Sequence, residues 1–505
     1  MANPCFETFF KSNLTSDATL IVTADGQEMT YRAFFELAGK ASSVLASANV
    51  SPGDRVAVQT EKSVTQLALY AACLSSGAVY LPLNTAYTPA ELDYFIGDAE
   101  PRLVVVDPKA ADDVAGIANK VGAVLETLDP DGTGSLWNKM EAVTGAPALT
   151  PVDRDDDDLA AILYTSGTTG RSKGAMLTQK NLTSNATTLA DVWRFDASDR
   201  LLHALPTFHA HGLFVACNVT FTVGSSMIFL PKFDAATVLG FLPSATTMMG
   251  VPTFYTRLLS EARFDKVLCA KMRLFISGSA PLLAETHREF EDRTGHRILE
   301  RYGMTETSMN SSNPYDGDRR AGSVGPALPE IEIKITDPET GETLPANTTG
   351  MVEVRGPNVF KGYWRMPEKT AEELRENGFL ITGDLGQLSE DHYLTIVGRS
   401  KDLVISGGYN VYPKEVETEI DDIDGVTESA VIGAPHPDFG EGVVAIIVAS
   451  NSSLTADDIR ARLADKLAKF KQPKKIIFVD ALPRNTMGKV QKNILRDEHK
   501  SIFDG

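Results

Sequence analysis

Residues 164–174 read Tyr164-Thr165-Ser166-Gly167-Thr168-Thr169-Gly170-Arg171-Ser172-Lys173-Gly174, directly after the apolar run Leu159–Leu163. Glycines let the backbone curl, hydroxyls and amide N–H groups donate hydrogen bonds, and two cations follow, which suits a loop that grips a polyphosphate. It is not a Walker A loop, because Lys173 follows serine and not glycine. Taken alone, such a turn fits a structural loop equally well. Other groups suited to phosphate chemistry are scattered along the chain. Glu306 ends Tyr302-Gly303-Met304-Thr305-Glu306, and a carboxylate is what a hard cation such as magnesium wants. Asp384 closes Thr382-Gly383-Asp384 and, being acceptor-only when ionised, suits a pair of sugar hydroxyls. Lys489 follows Gly488 in the loop Leu482-Pro483-Arg484-Asn485-Thr486-Met487-Gly488-Lys489 and offers an ammonium for developing phosphate charge. Each has a plainer reading: a turn cap for Asp384, a surface carboxylate for Glu306, a solvated side chain for Lys489. His209 and His211 also read as satisfied core histidines.

The order of these segments separates the two readings. Tyr164–Gly174 resembles the phosphate loop of the adenylate-forming superfamily, which comprises acyl-CoA synthetases, peptide-synthetase adenylation domains and luciferases. Further superfamily motifs are resembled in the same order along nearly the whole chain: Pro206-Thr207-Phe208-His209-Ala210-His211-Gly212, Ser277-Gly278-Ser279-Ala280-Pro281, Tyr302–Glu306, Thr382–Asp384 with Gly398-Arg399, and Leu482–Lys489. The resemblance implies an enzyme that uses ATP and magnesium to adenylate a carboxylic acid and then passes the acyl group to coenzyme A. Lys489, Thr305, Glu306 and His209 are its implied catalytic residues, with Lys489 between the acyl carboxylate and the α-phosphate. Nucleotide binding is implied for Thr165, Ser166, Gly167, Thr168, Thr169, Gly170, Lys173, Ser279, Ala280, Glu300, Tyr302, Gly303, Met304 and Thr305. Asp384 and Arg399 are implied at the ribose. Glu306 and Thr165 are the implied magnesium ligands, and Ser406, Gly407 and Gly408 are implied to meet the pantetheine arm. Lys401 stands at the implied hinge.

The acid is addressed by Arg301. Glu300-Arg301-Tyr302-Gly303-Met304-Thr305-Glu306-Thr307 resembles the malonyl-CoA synthetase version of the motif, as do residues 274–283, 356–364 and 482–492. Malonate carries a second carboxylate that must not be buried without a cation. A guanidinium holds a carboxylate at two points, so Arg301 is the expected partner, with His209, Ser277 and Gly278 lining the pocket. The alternative for Arg301 is a structural ion pair with Glu300 or another neighbouring acid. On that reading the substrate is a different short-chain or aromatic acid. Methylmalonate is a second dicarboxylate candidate, and loading of a carrier protein is an alternative second step. Gln179 departs from the family, which more often has histidine there.

The elements that must position these groups show in the hydrophobic pattern. Arg55–Thr60, Ala78–Leu83 and Leu103–Val106 read as strands. The helices between them open on Ser63-Val64-Thr65-Gln66 and Thr88-Pro89-Ala90-Glu91, which makes βαβ units with parallel pairing. The rhythm returns with Leu274–Ser277, a helix over 283–293, and Ile298–Tyr302. Asp384–Val397 reads as antiparallel strands about a turn at 389–392. Past residue 400 come helices at 413–422 and 455–470 and strands at 443–448 and 476–479. The expected fold is α/β: a large N-terminal domain, 1–399, of βαβ-type sheets with a distorted antiparallel region. A small mobile α+β domain, 400–505, carries Lys489. The 505 residues suffice for two domains. The net charge of −19 argues against nucleic acid or an anionic membrane as partner. Cys5, Cys73, Cys217 and Cys269 have neither zinc nor disulfide spacing, and no signal or membrane-spanning run is present, so a cytoplasmic protein is expected. Lys466, Lys469, Lys471, Lys474 and Lys475 crowd together without an acid, either to meet coenzyme A phosphates or as a solvated helix end.

Overall fold

The computed structural model describes residues 2–165, 172–406, 409–450, 453–464, 466–485 and 488–503. In it the βαβ reading of the first half becomes two mostly parallel sheets. One has seven strands, in the order Gly362–Tyr363, Lys173–Thr178, Leu159–Thr165, Val79–Pro82, Arg55–Gln59, Leu103–Val106, Val124–Thr127. The other has eight, in the order Ser308–Ser312, Leu299–Met304, Leu274–Ser277, Thr247–Gly250, Arg200–His203, Ser226–Phe229, Thr19–Thr23, Glu28–Thr30. Between them lies the helix Val64–Ser76, buried along almost its whole length. Ser63 caps it by accepting from Gln66 N at 3.2 Å. The return half of a capping box is missing, because Gln66 Oε1 accepts from the Thr207 hydroxyl at 3.0 Å instead, while its Nε2 donates to the Tyr80 hydroxyl. Gly77, at φ 73°, ends the helix in the left-handed conformation that glycine adopts without strain. An interior packed with aromatic rings (Phe6, Phe9, Phe10, Phe34, Phe35, Phe221) joins the same core.

A four-stranded antiparallel sheet follows, from Glu332–Thr336 to Leu394–Arg399. A last, five-stranded sheet takes all its strands from Val404 onward. The helix expected over 455–470 is shorter, Ala456–Ala464. Lys466 and Lys469, three positions apart, would repel one another on a continued helix. Gln472 Nε2 instead donates to the Leu467 carbonyl at 2.8 Å, which closes a turn there. Leu463 and Leu467 remain buried, so the apolar face survives the loss of the helix. Among the described residues no helix is long and apolar enough to cross a membrane.

Parallel strands present their carboxyl ends at one edge, where ligands of open α/β sheets bind. In the eight-stranded sheet that edge carries His203, Gly250 and Ser277, on adjacent strands. The opposite edge is bolted. Asp199, Thr246 and Arg273 each precede one of the same three strands. Arg273 Nε and Nη2 donate to the buried Asp199 carboxylate at 2.8 and 2.5 Å, and Thr246 Oγ1 adds a bond of 2.7 Å. Arg273 also reaches the carbonyls of Trp193 and Arg194. Arg273→Met should therefore strand a buried carboxylate and cost about 3–5 kcal/mol. Urea unfolding checks this, and Asp199→Leu added to Arg273→Met should recover most of the loss. A double variant as unstable as the single one would show that the pair is not the bolt.

Candidate active site

Three of the residues expected at the nucleotide, Tyr302, Asp384 and Arg399, form one hydrogen-bonded set. Asp384 and Arg399 face each other across the strands Leu380–Leu388 and Leu394–Arg399. Arg399 Nε lies 2.7 Å from Asp384 Oδ1, and the Tyr302 hydroxyl donates to Asp384 Oδ2 at 2.6 Å. Burial and then the Asp384 charge push the Tyr302 phenol well up, while the same carboxylate holds Arg399 above its ordinary value. The turn that carries Tyr302 is tight. A Cβ on Gly303 would stand 1.9 Å from the Ser308 carbonyl oxygen, and Ser308 itself sits at φ 51°. Met304 and Thr305 are half-buried at its tip.

Glu306 is buried and belongs to a second network. The Tyr363 hydroxyl stands 2.9 Å from Glu306 Oε1 and 2.6 Å from Glu373 Oε2, and it has one proton for two carboxylates. Lys173 Nζ lies 2.9 Å from Glu373 Oε1 and 4.0 Å from the centroid of the Tyr363 ring. Glu306 makes no salt bridge among the described residues, and burial raises its carboxyl pKa above the ordinary 4.5. Thr165 turns its hydroxyl to the Lys173 carbonyl at 3.4 Å. Ser166, Gly167, Thr168, Thr169 and Gly170, and likewise Gly407 and Gly408, lie outside the described residues. Ser406 is buried beside the latter pair.

The acid-side residues differ in having too few partners. Arg301 is 3% exposed, and its Nε and Nη2 find no hydrogen-bond partner among the described residues. His211 Nε2 and Ser277 Oγ are buried and unpartnered as well. The guanidinium lies over Gly278, where a Cβ would meet Arg301 Cζ at 2.4 Å. Glu300 is not its partner. That carboxylate faces His287 Nδ1 at 3.2 Å and accepts from Gly322 N at 3.2 Å. Burial pushes Arg301 down to about 9, which leaves it charged at neutral pH. It in turn helps to hold both histidines neutral: His209 falls to about 4 through burial, then Arg301 and Lys489. His211 falls well below its ordinary value through burial and then Arg301. Ser279, at a strained φ of 69°, places its hydroxyl 3.3 Å from His211 Nδ1, and Ala280 follows it half-buried.

Lys489 reaches this region from the last loop. Its residue surface is open to the cleft, yet surrounding protein and the Arg399 charge lower its pKa, against Asp384 and Asp402. Gly488 presses on Thr253, since a Cβ there would meet Thr253 Oγ1 at 2.9 Å. Lys401, in the short turn Ser400–Asp402, is lowered to about 8 by burial, with Arg399, Lys489 and Arg496 adding to the shift. Sequence reasoning missed Tyr363 and Glu373. Tyr363 lay inside a quoted segment, 356–364, and received no role, while Glu373 ends a polar surface helix and gave no signal. His211, read as a core histidine, stands among the unpartnered groups.

Comparison with known proteins agrees with this layout. The model of the AMP-binding enzymes matches residues 10–364, and that of the AMP-binding enzyme C-terminal domain matches 415–489. A malonate–CoA ligase of Arabidopsis thaliana is 34% identical, over 88% of this chain and 78% of its own. A feruloyl-CoA synthase of Amycolatopsis is 35% identical, over 93% and 94%. The crystal structure of ATP-bound MatB from Rhodopseudomonas palustris is 59% identical and covers 99% of both chains with a TM-score of 0.96. The apo structure of MatB, at the same identity and coverage, gives 0.85. The structure as a whole thus superimposes more closely on the ATP-bound form than on the apo form.

The raised pKa of Glu306 fixes the sign of a stability test. Its folded-state stabilisation is present below the ordinary 4.5 and is lost as pH rises through the raised value. Glu306→Gln should therefore melt about 1–3 °C above the native protein near pH 8, and the gap should close toward pH 4. A variant less stable at pH 8 would mean that the ionised carboxylate supports the fold.

Proposed function

This chain belongs to the AMP-binding enzyme family, and from that premise we propose that it ligates malonate to coenzyme A through malonyl-adenylate. One malonate carboxylate attacks the α-phosphorus of ATP, forming the acyl-phosphate bond and releasing pyrophosphate. The thiol of coenzyme A then attacks the acyl carbon, and AMP leaves. Family membership alone does not choose the acid, since a feruloyl-CoA synthase is as similar as a malonate–CoA ligase. What carries the choice is Arg301: a buried guanidinium with two unpartnered nitrogens, near enough to His211, whose Nε2 is also unpartnered, to shift its pKa. An aromatic acid would leave those donors desolvated and unpaired. A second carboxylate satisfies them.

The remaining roles follow from the same geometry. Asp384 and Arg399 take the ribose, with Tyr302 holding Asp384 in place. Magnesium fits Glu306, a buried carboxylate without a salt bridge, with Thr165 as the other protein ligand, and when bound it neutralises charge building on the phosphates. The charge effects between Lys489 and both His209 and Asp384 support a place for it between acid and nucleotide, where an ammonium stabilises the attack. For the second step, residues 400–505 turn about Lys401 against 1–399. That removes Lys489 and brings the Ser406–Tyr409 segment up to the adenylate. The four buried free thiols suit a reducing cytoplasmic compartment.

Arg301→Leu should lower kcat/KM for malonate by about 30- to 3000-fold, and that for propionate far less. Equal losses would assign Arg301 to the nucleotide or to the fold. Lys489→Ala should slow ATP–pyrophosphate exchange by about 10²–10³ while sparing thioester formation from supplied malonyl-adenylate. Equal damage to both half-reactions would make the lysine structural.

A further inference from the structure

Lys62 is buried with no acid against it. It follows the strand Arg55–Gln59 and is 7% exposed. Its ammonium lies 2.8 Å from His203 Nδ1, 2.8 Å from the His203 carbonyl and 4.2 Å from the centroid of the Phe229 ring, with Cys217 also near. No salt bridge to Lys62 is found among the described residues, so its burial is costly. If filling space were its purpose, an uncharged chain of the same length would do better.

What the amine does is choose a tautomer. It can only donate, so His203 Nδ1 accepts, and the proton of the neutral ring sits on Nε2. That N–H points at the Gly212 carbonyl, 2.8 Å away, which also accepts from Cys217 Sγ at 3.2 Å. Burial pushes Lys62 to about 7, and it is the charged form, which has no lone pair to accept with, that fixes the tautomer. Gly212 belongs to a π-helix, His211–Cys217, a rare geometry that concentrates at functional sites. A Cβ on Gly212 would lie 2.0 Å from the Pro206 carbonyl oxygen, so the start of the π-helix is pinned on that side too. The first residue of the π-helix is His211, whose unpartnered Nε2 belongs with those of Arg301.

We propose that Lys62 is a positioning residue for the acid pocket: through His203 and the Gly212 carbonyl it sets where His211 presents Nε2 beside Arg301, and so sets the affinity for the second carboxylate. This rests on the malonate reading above. The contacts run unbroken from Lys62 Nζ to His203 Nδ1, from His203 Nε2 to Gly212 O, and along one peptide to His211.

The test is Lys62→Met, with KM for malonate, KM for ATP, melting temperature and the ¹⁵N shifts of the His203 ring measured beside the native protein. Malonate KM should rise about 5- to 30-fold, and ATP KM should stay within about twofold. The melting temperature should be equal or higher, and His203 should lose its single Nε2–H form. Lys62→Met added to His203→Phe should raise malonate KM no further than His203→Phe alone. A fall in melting temperature with both KM values rising together, or a variant that does not fold, would make Lys62 structural and overturn the role. An unchanged malonate KM in a protein whose native form turns over malonate would overturn the role alone. A native protein without malonate-dependent pyrophosphate exchange would overturn the malonate reading, and the role with it.

Discussion

Arg301 is a guanidinium enclosed by protein with no carboxylate to meet it, and the surrounding structure is arranged around that cost. Glu300, its neighbour in sequence, is turned away to His287 and the Gly322 amide, so the charge is not neutralised from within. Gly278 gives it room, because any larger residue would collide with the guanidinium. The two histidines nearest to it are kept uncharged, so they can surround a cation without repelling it and still donate through one nitrogen. A buried cation whose only satisfying partner is a ligand makes binding of that ligand relieve a penalty already present in the fold.

The nucleotide side is built on the opposite balance. Asp384 has Arg399 and Tyr302 as partners, and the Glu306–Tyr363–Glu373–Lys173 chain holds two carboxylates and one cation through a single phenol. Acids therefore gather where sugar hydroxyls and a divalent ion are proposed to sit, and unpaired donors gather where carboxylates are. Between the two stands Lys489, drawn by Asp384 and Asp402 and repelled by Arg399. The balance is local, since the chain as a whole carries −19.

Much of this was readable beforehand, for identifiable reasons. Thr88-Pro89-Ala90-Glu91 forms its reciprocal cap because both halves depend only on neighbouring residues. Leu103–Val106 is a strand over those residues because a short apolar run bounded by turns has few other uses. The unread parts depend on distant partners. Nothing near Glu373 in sequence announces Lys173, 200 positions away. The Lys62–His203 contact spans 141 positions, and His211 looks like any histidine in an apolar stretch until its π-helix turns it toward Arg301. Local chemistry was visible in the sequence, whereas pairing across the two sheets was not.

The attachment of Lys489 suits the proposed cycle, in which one residue serves a step and then leaves. Its loop is closed on itself: Asn485 N donates to the Lys489 carbonyl at 3.0 Å, and Lys489 N donates to Asn485 Oδ1 at 2.9 Å. Arg484 ties that loop to Glu428, and Lys492 ties the following helix to Glu417, both acids on elements past residue 400. Against the large domain the loop has the Gly488–Thr253 approach, a van der Waals contact and not an ion pair. In the proposed rotation the interactions kept are charged and internal to residues 400–505, while the Gly488–Thr253 approach, uncharged, is one among the described residues that would part. The difference between 0.96 and 0.85 against the ATP-bound and apo forms of MatB fits two arrangements of the same parts. Across the proposed hinge, the charges that attract Lys489 to the site are Asp384 and the nucleotide phosphates, since Asp402 lies on the same side of the hinge as the lysine. In the proposed cycle, departure of pyrophosphate lessens the negative charge facing Lys489 while Arg399 goes on repelling the ammonium, which favours release of the lysine before the second step.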